Sequence, residues 1–136
     1  MSTTRSPDAA GGAPLRTAFT AFPIACFTLT LLCDLAYWAT ANLMWKNFSA
    51  WLLFAGLVGG GLAVLAWIVA QAVRPVRPAW IVAGINVLVL VAAFLNSLVH
   101  AGDGWTGVLP WGLALSALTI LLMLVSGLLG GTATHR

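Results

Sequence analysis

The chain has 136 residues, 61% of them apolar and only 7% charged, with a mean hydropathy of +1.01 and a formal net charge of +3. Soluble domains run at roughly 45–50% apolar and about 25% charged, so a soluble globular domain is excluded. A nucleic-acid binder, which needs clustered cations, and a disordered tail, which needs few apolar residues, are excluded with it.

In chain order, residues 1–16 read as a flexible head carrying Arg5 and Arg16. Four apolar runs follow, at about 17–41, 49–72, 79–99 and 108–129. Each supplies the roughly 20 residues that cross about 30 Å of hydrocarbon as a helix. Helix is the only state that fits, because open sheet edges do not survive in lipid and barrel strands alternate instead of running apolar without a break. The polar stretch Asn42 to Asn47, the Arg74-Pro75-Val76-Arg77-Pro78 run and Gly102-Asp103-Gly104 mark the breaks. Connections this short make sequential helices antiparallel neighbours. The predicted architecture is an all-α, up-down four-helix bundle in a membrane, a transmembrane domain over 17–131, with a short tail at 132–136. The basic head, the apolar run and Ala39-Thr40-Ala41 resemble a signal peptide, but the run is too long and Asp34, Tyr37 and Trp38 precede the would-be cleavage point. The first helix is therefore expected to remain uncleaved.

Orientation follows from the short flanks. Arg5, Arg16, Arg74, Arg77 and Arg136 fall on one side and only Lys46 on the other, so both termini are expected in the cytoplasm. Trp38, Trp45, Trp51, Trp105 and Trp111 mark the opposite interface, and Trp67 and Trp80 the cytoplasmic one.

Asp34 is the one charged residue well inside a span, where insertion of a carboxylate costs about 2.5–3.5 kcal/mol. Such a residue faces the bundle interior or water, as a proton or ligand site or as a buried acid satisfied by hydrogen bonds. Tyr37 and Trp38 stand at i+3 and i+4 from it. Asn96 and His100 are at i and i+4 on the third helix, which runs parallel to the first, and Asp103 follows in the loop. By depth alone Asp34, Tyr37, Trp38, Asn96, His100 and Asp103 form a candidate polar and aromatic pocket in the outer leaflet, with Lys46 and Trp105 nearby. Asn86 reads as interhelical hydrogen-bonding glue. Gly56, Gly59 and Gly60 form a small-residue face on the second helix that lets another helix approach closely, from this chain or from a second copy. Cys26 and Cys33, seven apart on one helix, lie about 10.5 Å apart and cannot pair with each other. No metal-ligand spacing, nucleophile elbow, phosphate loop or dinucleotide fingerprint occurs. His135, in the tail, cannot meet His100 across the bilayer, which leaves haem ligation by two histidines of one chain without support.

The blocks Phe22-Pro23-Ile24, Asp34-Leu35-Ala36-Tyr37-Trp38, Met44-Trp45, Asn47 to Leu53, Asn96 to His100 with Asp103 and Trp105, and Ser126 to Gly131 resemble domain-of-unknown-function family twenty-two thirty-one, over roughly residues 16–131. The resemblance implies a four-helix bacterial inner-membrane protein without an established activity. Because the family's domain also occurs appended to quinoprotein sugar dehydrogenases, it further implies a link to periplasmic oxidation. The sequence departs from the family at Arg16-Thr17, where His-Pro is expected, at Trp67 to Gln71, where an acid is common, and at the Thr132 to Arg136 tail.

The resulting expectation is a non-enzymatic accessory or scaffold subunit, multi-pass in the bacterial inner membrane, partnered by lipid and by copies of itself or a larger membrane complex. Its cofactor is unknown, with none expected. One alternative is a redox module holding haem or quinone for a periplasmic dehydrogenase, and a second is a small proton-coupled transporter that uses Asp34.

Overall fold

The computed structural model describes the backbone of residues 8–73, 79–102 and 108–133, and side chains from 17 to 131 within those ranges. Four helices account for nearly all of it: α1 (Asp8–Thr40), α2 (Leu43–Val73), α3 (Trp80–Ala101) and α4 (Trp111–Ala133). All four are long and apolar enough to cross a membrane. No strand occurs among the described residues. In lipid the backbone has no water to bond, so each span satisfies its N–H and C=O groups within its own helix.

The boundaries differ from the expected ones most at the starts of α1 and α2. Helix α1 begins at Asp8 and so runs through residues 8–16, which the sequence reading assigned to a flexible head. Ala9, Ala10 and Ala13 favour helix in this stretch, whereas Gly11, Gly12 and Pro14 oppose it. Helix α2 begins at Leu43, six residues before the expected start, because Asn42 caps it. Asn42 Oδ1 accepts from the Met44 N–H at 3.0 Å, and its backbone carbonyl accepts from the Trp45 N–H at 3.1 Å. The chain reverses within Ala41 and Asn42, helped by Ala41 in the left-handed region at φ 53°. A polar helix start had been mistaken for a loop. The proline-arginine break at 74–78 lies outside the described residues, and helix α4 continues to Ala133, into the expected tail.

Helices α1 and α2 form one hairpin and α3 and α4 a second. The hairpins meet along thinner seams, α2 on α3 and α1 on α4, which closes an up-down bundle with α1 diagonal to α3. Most of the buried positions recur in sevens: 23, 30 and 37 with 27 and 34 on α1; 49 and 56 with 53 and 60 on α2; 89 and 96 with 93 and 100 on α3; 112, 119 and 126 with 116 on α4. A seven-residue period is that of helices packed along a coiled-coil seam. Large apolar side chains such as Leu32, Phe54, Leu98 and Leu128 face outward, while the buried set holds as many polar as apolar residues. This distribution is the reverse of a soluble domain and suits lipid outside.

The small-residue face of α2 is used within this chain. A Cβ built on Gly56 would lie 2.5 Å from the Phe27 ring and 3.1 Å from Cys26 Cβ. At Gly59 it would meet the Phe22 ring at 2.5 Å, and at Gly60 the tip of Leu90 at 2.5 Å. Gly56 and Gly59 thus let α1 close on α2, and Gly60 admits α3. Between them and the level of Asp34, Phe27, Leu53, Val89 and Ala93 form the buried apolar centre.

Candidate functional site

Asp34 stands six residues before the end of α1, about 9 Å along the helix axis from Thr40. It occupies a seam position, so its carboxylate points into the bundle and is fully buried. A bare carboxylate there would be costly, and polar side chains from the other three helices meet it. Ser49 Oγ of α2 donates to Oδ1 at 2.6 Å. Ser116 Oγ of α4 donates to Oδ2 at 2.5 Å. His100 Nε2 of α3 lies 2.8 Å from Oδ1 with both side chains wholly inaccessible.

The surrounding groups orient these three. His100 Nδ1 lies 3.0 Å from the backbone carbonyl of Asn96, one turn back on α3, and this fixes the ring plane. A carbonyl only accepts, so Nδ1 carries hydrogen and Nε2 is the atom turned to Asp34. Asn96 Nδ2 donates to Ser116 Oγ at 2.7 Å. Ser116 has a single hydroxyl hydrogen, so accepting from Asn96 leaves that hydrogen for Asp34. The same assignment leaves Asn96 Oδ1 buried with no partner, the one such side-chain atom among the described residues. Below this layer Thr30 and Thr119 bond back to the carbonyls of Cys26 and Leu115 on their own helices, at 2.9 and 2.8 Å. At the rim Lys46 Nζ donates to the carbonyl of Gly102 at 3.0 Å, tying the start of α2 to the end of α3.

Asp34, Asn96 and His100 are therefore brought together. Tyr37 is buried one turn above Asp34, whereas Trp38 is 65% exposed and points away from the bundle. Both had been placed on the face of Asp34, but the seam advances in sevens from Pro23 through Thr30 to Tyr37, and Trp38 falls off its edge onto the lipid side. The site is thus polar, with one aromatic ring instead of two. Asp103 and Trp105 lie outside the described residues. Asn86 accepts from Ser126 Oγ of α4 at 2.7 Å, a second interhelical bond nearer the other end.

Ser49 and Ser116 were missed by the sequence reading. Ser49 fell at a presumed loop edge, and Ser116 looked like an ordinary small residue of an apolar span. The available signal was periodic: Ser116, Thr119 and Ser126 sit on α4 at the spacings of one seam.

The chemistry open to this site is limited by its own bonds. Both imidazole nitrogens are engaged, and neither serine faces one, so no hydroxyl is poised for deprotonation by a base as in a nucleophilic triad. Among the described residues no group of three or more His, Cys, Asp or Glu stands ready for a metal.

A family model described as "Predicted membrane protein (DUF2231)" matches residues 12–136. No curated protein and no solved structure matches the chain.

Proposed function

The chain belongs to that family of predicted membrane proteins, and we propose that it serves as a non-enzymatic accessory or scaffold subunit of the bacterial inner membrane. The observation that carries this reading is the self-contained character of the site. Asp34, Ser49, His100 and Ser116, one from each helix, spend their hydrogen bonds on one another and on Asn96 and Thr30 beside them, and all four are buried. Polar residues buried between apolar helices act as glue, and here they join all four. The count of five cations against one supports cytoplasmic termini, with the site toward the periplasmic face.

The same geometry bears on the redox alternative. His100 Nε2 would have to leave Asp34 before it could ligate an iron, although Nδ1–H could keep its bond to the Asn96 carbonyl. A haem role for it therefore gains no support, and Trp38, on the outer surface, is separated from the buried cluster.

Cross-linking in native membranes followed by purification in mild detergent tests the proposal. A defined homo-oligomer or a stoichiometric complex with a fixed partner is expected. A monomer with no cross-linked partner overturns the scaffold role, and a reducible Soret band or stoichiometric quinone in the same sample replaces it with the redox reading.

A further inference from the structure

We infer that Asp34 and His100 form a proton-loaded latch: an imidazolium bound to a carboxylate, holding one exchangeable proton and closing the two helical hairpins on each other. Asp34 and Ser49 belong to the first hairpin; Asn96, His100 and Ser116 belong to the second. The seams between hairpins are thinner than the contacts within them, so the bonds from His100 and Ser116 to Asp34 carry much of the closure at this end of the bundle.

The proton count follows from donors and acceptors. Nδ1 of His100 donates to the Asn96 carbonyl. Ser49 directs its hydrogen to Oδ1 and Ser116 to Oδ2, so the carboxylate acts as acceptor throughout and Nε2 supplies the third donor. The ring then carries both N–H groups and the pair has no net charge, as apolar surroundings favour. Removing the shared proton sets a carboxylate against an imidazole lone pair. Adding one leaves an imidazolium without its anion. Each change weakens the bonds between hairpins. Asn96 Oδ1, unpartnered and fully buried, gives the network a second direction. If Asp34 takes a proton on Oδ2 and donates to Ser116, a turned Asn96 amide can accept from Ser116.

No other carboxylate or imidazole among the described residues faces this pair. Helix α1 adds Cys33 and the buried Tyr37, α2 adds Lys46 on the Gly102 carbonyl, and α4 contains no titratable residue between Trp111 and Ala133. Below the closed window the open state binds more protons than the latch, and above it fewer. Closure is therefore strongest at intermediate pH and declines on both sides, by up to about tenfold in the closed-to-open ratio per pH unit for one proton.

The test uses full-length protein in lipid bilayers with His135→Ala, which leaves His100 as the single histidine. Nitrogen-15 NMR of the labelled ring is expected to show hydrogen on both nitrogens at neutral pH, and unfolding in mixed micelles is expected to give a bell-shaped pH profile. Asp34→Asn should return Nε2 to the unprotonated form and flatten the profile. An unprotonated Nε2 in the Asp34 protein, or a flat profile, overturns the latch. The NMR reading needs no Asp34 substitution, so the inference stays testable where Asp34→Asn fails to fold.

Discussion

Replacing the two members of the central pair separately and together measures what they contribute to the bundle. In His100→Leu the fully buried Asp34 carboxylate keeps Ser49 and Ser116 but loses the imidazole of His100. In Asp34→Val the imidazole and both hydroxyls lose their acceptor. Removing one partner of a buried ion pair costs about 3–5 kcal/mol, while replacing both with apolar side chains of similar volume is often near neutral. The two serines remain in the double variant, but a serine hydroxyl can bond back to its own helix, which limits their penalty to about 1–3 kcal/mol. The singles together thus exceed the double by about 3 kcal/mol or more. An ordinary interhelical hydrogen bond in a membrane couples by only about 0.6 kcal/mol, so the size of the coupling separates the two kinds of interaction. The assay is reversible unfolding in mixed micelles of rising dodecyl sulfate content, followed by circular dichroism. A coupling at or below about 0.6 kcal/mol refutes the ion pair.

The fold makes further predictions. Gly56→Ala drives a methyl to 2.5 Å from the buried Phe27 ring and should cost about 1–3 kcal/mol in the same assay. Gly61→Ala meets nothing within 4 Å and should be neutral or stabilising by up to about 1 kcal/mol; equal losses at both positions would contradict the packing of α1 on α2. Ala41→Gly relieves a left-handed backbone at φ 53° and, net of the added chain entropy, should stabilise by about 0.5–1 kcal/mol by its unfolding midpoint. Ser126→Ala removes the bond to Asn86 and should cost about 0.6 kcal/mol, well below the loss in Ser116→Ala, which also strips a donor from Asp34.

The four spans were legible because bilayer thickness fixes their length and lipid removes every alternative to helix. The depths of Asp34 and His100 were legible for a similar reason, since parallel helices place residues equally far from one interface at one level. Rotation about each helix axis was not legible in the same way. Counting i+3 and i+4 from Asp34 admits both Tyr37 and Trp38, and only the direction of the seam decides between them. Hydropathy offered no help there, because the outward faces are as apolar as any core and the inward faces carry Thr30, Asp34, Asn96 and Ser116. Asn42 misled for another reason: polarity at an interface signals a helix cap as readily as a loop, and the capping bond to Met44 settles it. The small-residue face of α2 was visible, but its partners were not, since glycine spacing permits close approach without naming the neighbour.

Side chains from α2, α3 and α4 close on the buried carboxylate of α1, and an internuclear distance reads that closure directly. Solid-state NMR on protein in bilayers, with carbon-13 in the aspartate carboxyl groups and nitrogen-15 in the histidine ring, reads the dipolar coupling between Asp34 Cγ and His100 Nε2, and His135→Ala removes the other imidazole. A strong coupling, as required by an Nε2 to Oδ1 separation of 2.8 Å, is the predicted result. Its absence in protein whose helices are otherwise intact would rule out the contact between Asp34 and His100.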